Sequence, residues 1–173
     1  NESTINPHGL KTLAATYLQD VDLSRIDDAW EIVTRVHKGS RHFSGELYVM
    51  HLLEVASTLA SMHLDLDTIL AGLLHGVLKQ KGDGKGEGVT VEELALKFGK
   101  DVAAIVEGST RITQVHYNSK LASQAENLRK MLLAMAADIR VLLVKLIDRL
   151  LDMFLLDMVD REKQLDIARE TMD

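Results

Sequence analysis

The sequence contains no cysteine, a single proline and few aromatic residues, which make up 4% of its 173 positions. Without cysteine the chain can form no disulfide, thiolate zinc site or cysteine nucleophile, so a bound metal would need histidine, aspartate or glutamate. The shortage of aromatic side chains, against abundant Leu, Ala, Met, Ile and Val, argues against a β-sandwich. It predicts a single domain whose aliphatic core is formed by packed helices.

Runs of positive charge are also missing, and the formal net charge is -6. We therefore expect no DNA-binding surface of the usual electrostatic kind. No apolar stretch reaches the roughly 20 residues that a membrane span needs, and the sequence does not start with a basic segment followed by an apolar one. These absences predict no membrane partner and a cytoplasmic location. Because Asn1 is not a methionine and a helical pattern continues to Asp173, we also expect a longer parent chain.

Hydrophobic periodicity predicts about eight helices and no strand. A capping box at Thr90 and Glu93 is expected to begin one helix, and Asp67 and Asp101 are the predicted N-caps of two others. The predicted segments are a short helix near the N-terminus, Leu10–Leu18, and eight further ones, Ser24–Gly39, Leu47–Met62, Asp67–Val77, Thr90–Gly99, Asp101–Gly108, 121–136, 138–156 and 159–172. The core-facing candidates in the later helices are Leu132, Met135, Ile139, Leu142, Leu143, Leu146 and Leu150. Residues 81–88 alternate glycine with charge and are predicted to form a loop.

Polar side chains inside the apolar helices are the first candidates for chemistry. His51 and His75 each lie among apolar residues, where a buried imidazole needs a partner, and a satisfied core histidine is the simplest interpretation of either. Asp148 lies in a third apolar helix, where an unpaired carboxylate would be costly. Two imidazoles and a carboxylate suit a divalent metal such as Mn or Fe that activates water against phosphorus. Asp148 could instead pair with Arg149 or with a neighbouring lysine.

Several segments carry a more specific signal. HKGSRHFSGELYVMH, over residues 37–51, resembles a segment in which HKG, a basic pair, SGEPY and a histidine follow one another. LAGLLHGVLKQ, over residues 70–80, is similar to ALLHDVVED, which contains the His-Asp doublet of HD hydrolases. Residues 124–135, 138–150 and 167–172 resemble QAENLRKMLLAM, DIRVxLxKLADRLHNM and IAxET. Because these matches run in order to the end of the sequence, the chain is identified as a member of the Rel/Spo hydrolase family.

The resemblance implies an all-α HD-type helical bundle over residues 24–173, preceded by a helical extension over residues 1–23. In the family this domain removes pyrophosphate from the 3′ position of guanosine tetra- or pentaphosphate. It uses Mn²⁺ held by two histidines and two aspartates. A synthetase domain and regulatory domains usually follow, so the resemblance implies a synthetase domain of the same chain as the partner.

The family's metal site is incomplete in this sequence. His51, His75 and Asp148 match three of the ligands, whereas Gly76 stands where the doublet has its aspartate. Lys79 and Gln80 replace the acidic pair that would orient or deprotonate the attacking water, and neither side chain accepts a proton at neutral pH. No catalytic residue is therefore intact, and we expect no bound cofactor.

The positions associated with gripping the nucleotide have also changed. His42 and Phe43 match the family's basic pair, and Asp152 and Leu155 match an asparagine and a threonine. The sequence therefore retains a vestigial nucleotide site made of Arg41, His42, Ser44, Gly45 and Asp152. Arg41 could replace part of the lost basic pair, so binding of a guanine nucleotide such as ppGpp, GTP or GDP stays open.

These substitutions lead to three hypotheses. The first is a pseudo-hydrolase domain that regulates or scaffolds the synthetase domain. The second is an active Mn²⁺-dependent hydrolase with a rearranged site, in which Asp83, Glu87 or Asp152 supplies the missing ligand. The third is an unrelated helical scaffold for protein binding, which would make the ordered motif matches coincidental.

Overall fold

The computed structural model describes residues 5–79, 88–118, 139–155, Arg169 and Thr171, and over residues 111–118 it describes the backbone alone. The described residues form seven helices and no strand, apart from two isolated bridges, Arg41 with Leu47 and Leu78 with Val89. The helices are α1 (His8–Ala15), α2 (Ser24–Val36), α3 (Tyr48–Ser61), α4 (Leu66–Leu74), α5 (Val91–Phe98), α6 (Lys100–Asn118) and α7 (Ile139–Phe154). The predicted all-α helical bundle is therefore confirmed.

Helix α4 lies at the centre of the core. Every one of its residues except Asp67 is buried, as expected for a helix that is apolar on all sides. It packs closely against α3 at Gly72, where a Cβ would lie 2.7 Å from Cδ1 of Leu59 and 3.5 Å from Cα of Ala56. The missing side chain thus lets the two helices that carry the candidate histidines approach each other.

Helix α1 packs on the same core. Leu10 and Ala14 belong to the buried cluster, and the Tyr17 hydroxyl, just beyond the helix, donates a hydrogen bond of 2.6 Å to the carbonyl of Leu64. The division into an extension over residues 1–23 and a domain over residues 24–173 stays a prediction. None of the helices in the described part of the chain is long and apolar enough to cross a membrane.

Several predicted helix ends need correction. The capping box of Thr90 and Glu93 is confirmed, with both reciprocal hydrogen bonds present. Ser24 begins α2, as the predicted segment does, and its side chain donates to Asp22. Asp67, in contrast, lies within the first turn of α4 rather than at its cap. Asp101 likewise lies in the first turn of α6, one residue after the helix begins.

Helix α6 does not end at Gly108, where the sequence suggested a stop. It continues to Asn118, and Gly108 lies against α7. A Cβ at this position would be 2.8 Å from Cγ2 of Val141. The glycine therefore allows close contact between two helices and does not terminate one.

The buried face of α7 also differs from the prediction. Val141, Val144 and Ile147 are buried, whereas three of the predicted core-facing residues are exposed, at 68% for Ile139, 54% for Leu146 and 47% for Leu150. Leu142 and Leu143 are half-buried, and Leu132 and Met135 lie outside the described residues. At helical spacing Asp148 shares the face of Val141 and Val144, so the rotation that buries this face also turns Asp148 inward.

Candidate metal centre

Three helices bring His51, His75 and Asp148 together. His51 lies in the first turn of α3, His75 directly follows α4, and Asp148 lies within α7. Nε2 of His51 is 2.6 Å from Oδ1 of Asp148, and Nε2 of His75 is 3.4 Å from the same oxygen. Nζ of Lys145 is 3.5 Å from the other carboxylate oxygen, so Asp148 also has the neighbouring lysine as a partner. The three polar residues of the apolar helices therefore converge.

A second histidine and aspartate extend this cluster. Nε2 of His42 is 2.7 Å from Oδ1 of Asp152, one turn along α7 from Asp148, and that oxygen is 3.6 Å from Nε2 of His51. The His42 ring also stacks on the His51 ring, with centroids 4.3 Å apart. The loop before α3 thus connects directly to α7, and the vestigial nucleotide residues His42 and Asp152 pair with each other.

The tautomer of His75 follows from its backbone contact. Its Nδ1 is 2.6 Å from the carbonyl oxygen of Gly72, which can only accept, so Nδ1 carries the hydrogen. Nε2 of a neutral His75 then holds a lone pair and faces Asp148 with no hydrogen-bond partner in the described part of the chain. Two acceptors that face each other are stabilised by a proton or by a cation between them.

Position 76 carries no side chain and has an unusual backbone conformation. Gly76 has φ of +130°, a region that L residues rarely adopt. A Cβ built there would lie 3.4 Å from the Tyr48 hydroxyl and 4.0 Å from the His37 ring. The backbone would therefore have to change before an aspartate at this position could resemble the family doublet.

The donor atoms fit a divalent cation without position 76. Ligand atoms of His51, Asp148 and Asp152 all lie within 4.8 Å of one another, and so do those of His42, Glu46 and His51. Imidazole and carboxylate ligands together are compatible with Mn, Fe or Zn. The described residues therefore hold a possible metal-binding group, and it includes Asp152.

A cavity of about 450 Å³ opens beside this cluster. His75, Gly76 and Asp148 form part of its wall. Three cationic side chains also line it, those of Arg41, Lys145 and Arg149. Its size and charge are suited to a ligand that carries phosphate groups.

The HD domain family matches residues 29–173, which is most of the chain. The chain belongs to the HD domain family.

Three relatives show the same resemblance. The chain is 38% identical over 164 residues to the bifunctional (p)ppGpp synthase/hydrolase SpoT of Escherichia coli, an alignment that covers 95% of this chain and 22% of the relative. It is 43% identical over 160 residues to a GTP pyrophosphokinase of Myxococcus xanthus, covering 91% of this chain and 20% of the relative. It is 41% identical over 157 residues to the GTP pyrophosphokinase rsh of Brucella melitensis, with coverages of 91% and 20%. The predicted Rel/Spo resemblance is confirmed, and the chain spans about a fifth of these relatives.

The pKa values of Asp148 and His51 in this HD domain shift in opposite directions. Burial alone would raise the pKa of Asp148, but the charge of His75 and the hydrogen bond from His51 keep that pKa well below its usual range. Burial would lower the pKa of His51, yet the hydrogen bond to Asp148 and the charges of Asp148 and Asp152 outweigh it and raise that pKa. Each partner therefore shifts the pKa of the other towards the charged form.

The remaining predicted residues lie around the cluster or outside the described part of the chain. Arg41 donates to the carbonyl of Gly45, and the Nδ1 atom of His42 is 3.1 Å from the hydroxyl of Ser44. The side chain of Lys79 is exposed. Gln80, Asp83 and Glu87 lie outside the described residues, so their predicted roles stay predictions.

Sequence reasoning missed His37 and Tyr48, which face Gly76 across the cavity. Burial, together with the nearby His75, lowers the pKa of His37 to about 4, and burial raises the pKa of Tyr48. Nε2 of His37 is buried without a hydrogen-bond partner among the described residues. Both residues stand in the matched motifs, HKG and SGEPY, and this was the signal that could have found them.

The opposite pKa shifts of His37 and His51 predict a stability maximum near pH 6.5 in metal-free buffer. The folded-state pKa of His37 is below its ordinary value of 6.5, so its contribution is complete above pH 6.5 and is lost as the pH falls towards 4. The folded-state pKa of His51 is raised, so its contribution is complete below pH 6.5 and is lost as the pH rises through that pKa. Urea unfolding at a series of pH values measures both slopes.

The His37→Gln variant separates the two effects. It should reduce the loss of stability between pH 6.5 and pH 4 by about 1–2 kcal/mol, since solvent screens a partly exposed ring. The alkaline slope should stay unchanged. His8→Gln, at an exposed histidine of α1, serves as the matched control. An identical acid slope in wild type and His37→Gln would contradict the assignment to His37.

Proposed function

We propose that this HD domain is a catalytically degenerate ppGpp 3′-pyrophosphohydrolase domain of a Rel/Spo stringent-response protein, and that it regulates or scaffolds an adjacent synthetase domain. Gly76 is the observation that carries the proposal. The family places a metal-binding aspartate at this position, whereas here the side chain is absent and φ is +130°. The exposed Lys79 adds a cation where the family has an acidic residue that serves the attacking water.

The pairing of His42 with Asp152 supports the same conclusion. In the family these positions hold a basic residue and an asparagine that contact the nucleotide. Here they form a 2.7 Å hydrogen bond, which places a carboxylate beside the cavity and occupies the imidazole. Arg41, Lys145 and Arg149 still line the cavity, so we propose that a guanine nucleotide binds more weakly and without turnover.

A stripe of exposed apolar residues on α7 supports the scaffolding half. Ile139, Leu146, Leu150 and Phe154 recur at helical spacing and are 47–71% exposed. An exposed apolar stripe of this kind is typical of a protein interface. About four-fifths of each relative lies outside the matched region, and two relatives are named GTP pyrophosphokinase, so the synthetase domain is the proposed occupant.

Pyrophosphate release tests the loss of hydrolysis. The purified domain, incubated with guanosine tetraphosphate and excess Mn²⁺, should release no pyrophosphate above background. The corresponding region of the Escherichia coli relative, assayed in parallel, serves as the positive control. Turnover by this chain that His75→Ala abolishes would contradict the proposal.

Substitutions in the stripe test the scaffolding half in the full-length protein. Leu146→Gln combined with Leu150→Gln should reproduce the effect of deleting the HD domain on nucleotide synthesis, about fivefold or more. Leu96→Gln provides the matched control, because Leu96 is 90% exposed on α5 and lies outside the stripe. Synthesis that responds to deletion of the domain but not to the double substitution would place the contact elsewhere.

A second candidate function is an active Mn²⁺-dependent 3′-pyrophosphohydrolase with a rearranged site. The proximity of Asp152 to His51 and Asp148 favours it, since a carboxylate is available near the lost ligand. Asp83 and Glu87 lie outside the described residues. An active hydrolase must release pyrophosphate, so the assay described above distinguishes this candidate from the catalytically degenerate domain.

A further inference from the structure

We propose that Asp152 replaces the missing doublet aspartate as a metal ligand, so that this HD domain binds one divalent cation even though it does not hydrolyse ppGpp. The cation would be held by the mutually close ligand atoms of His51, Asp148 and Asp152. His75, whose Nε2 atom lies 3.4 Å from Asp148 but outside that group, would turn in as the fourth ligand. The donor set would again contain two imidazoles and two carboxylates. The fourth ligand would come from α7 instead of from the residue after His75. The inference goes beyond the proposed function, because a domain without turnover can still hold a metal.

The distances around Asp148 support the first part of this site. Its Oδ1 atom is 2.6 Å from Nε2 of His51 and 3.4 Å from Nε2 of His75. Ligand atoms held at about 2.1 Å from one cation lie about 3.0–3.4 Å apart. The His75 contact already has this spacing, and the His51 contact would open by less than 1 Å as the cation replaces the hydrogen-bonded proton.

His75 provides an independent observation. It is 6% exposed, and its Nε2 atom faces Asp148 without a hydrogen-bond partner in the described part of the chain. Its Nδ1–H donates to the carbonyl of Gly72, which fixes the tautomer and the ring orientation that a ligating histidine needs. This buried Nε2 atom, aimed at a carboxylate, is placed to bind a cation that replaces its proton.

Asp152 has the position and the support that a ligand requires. Its Oδ1 atom is 3.6 Å from Nε2 of His51, and it lies one helical turn from Asp148 on the same helix. His42 contacts this carboxylate at 2.7 Å, and Ser44 lies 3.1 Å from the other nitrogen of His42. His42 is therefore a positioning residue that holds Asp152 towards the cluster, as outer partners of ligating carboxylates do.

This arrangement gives one explanation for three departures from the family pattern. An aspartate is lost at position 76 and gained at position 152, where the family has an asparagine. His42, which stands where the family has a basic residue, contacts the new carboxylate. Together these changes keep the charge and the ligand count of the site.

Mn²⁺ binding in the absence of nucleotide tests the inference. Isothermal titration and the electron paramagnetic resonance signal of free Mn²⁺ should show one ion bound per chain. Asp152→Asn, which is isosteric and restores the family residue, should weaken binding at least tenfold. His42→Gln should weaken it about tenfold, the lower end for an outer partner. Asp27→Asn, on an exposed aspartate of α2, should leave the affinity unchanged.

Thermal unfolding provides a readout that does not depend on turnover. Saturating Mn²⁺ should raise the unfolding temperature of the wild type, because the cation binds only the folded chain, and should raise that of Asp152→Asn much less. Equal affinity of wild type and Asp152→Asn would overturn the inference, and so would a wild type that binds no Mn²⁺. Neither result would affect the proposed loss of hydrolysis, which the pyrophosphate assay tests separately.

Discussion

Replacing Asp148 by alanine should lower the free energy of unfolding by about 3–5 kcal/mol in metal-free buffer. The carboxylate is the common partner of His51, His75 and Lys145, at 2.6, 3.4 and 3.5 Å. Its removal leaves the buried His51, whose pKa this carboxylate raises, without its partner, and breaking a buried pair from one side is strongly destabilising. Because a domain of this kind has a total stability of about 5–15 kcal/mol, the loss should be plain in urea unfolding.

An exposed ion pair of equal length provides the control. Lys11 and Asp27 are also 2.6 Å apart, but both side chains are substantially exposed. Asp27→Ala should therefore cost less than about 1 kcal/mol. The comparison separates the effect of burial from that of distance.

Unchanged or increased stability of Asp148→Ala would have a different meaning. It would show that Asp148 lowers the free energy of unfolding of the metal-free protein, as residues retained for ligand binding often do. Added Mn²⁺ should then stabilise the wild type and leave the variant unaffected.

The helices could be predicted from the sequence because they depend on local patterns. Thr90 and Glu93 form the expected capping box, since both hydrogen bonds lie within one turn. The prediction of a helix end at Gly108 was wrong, because a glycine is suited both to a helix end and to a close contact between two helices. Only the position of Val141 shows that Gly108 has the second role. The prediction of the buried face of α7 was wrong for a similar reason. Its apolar residues surround most of the helix, so periodicity alone could not show which of them are buried.

The candidate site also has a part that the sequence could predict and a part that it could not. His51, His75 and Asp148 were identified because polar residues in apolar helices need partners, and they do meet. The contact between His42 and Asp152 was not predicted, because it joins a loop to a helix 110 residues away. No local pattern carries that information. The sequence comparison nonetheless identified both residues as departures from the family, and the structure shows that they contact each other.

Restoring the family's acidic residues should produce measurable hydrolysis. A variant with Gly76→Asp, Lys79→Glu and Gln80→Asp should release pyrophosphate from guanosine tetraphosphate with Mn²⁺ at least about 100-fold faster than the wild type, the usual contribution of a positioned general base. The new aspartate should cost about 1–3 kcal/mol of stability unless the backbone leaves φ of +130°. The matched control adds His75→Ala to the same variant, which should abolish the gain.

Asp152→Asn gives the sharpest expectation, because its effect on Mn²⁺ affinity should be large in the wild type and nearly absent in the restored variant. In the wild type, Asp152→Asn removes a proposed ligand and should weaken Mn²⁺ binding at least tenfold. In the restored variant the residue at position 76 supplies that carboxylate, so Asp152→Asn should leave Mn²⁺ affinity within about threefold. There, together with His42→Arg, it should lower the KM for guanosine tetraphosphate, since a carboxylate beside the phosphates is replaced by an amide and a cation. A loss of Mn²⁺ affinity of equal size in both backgrounds would mean that positions 76 and 152 do not substitute for each other.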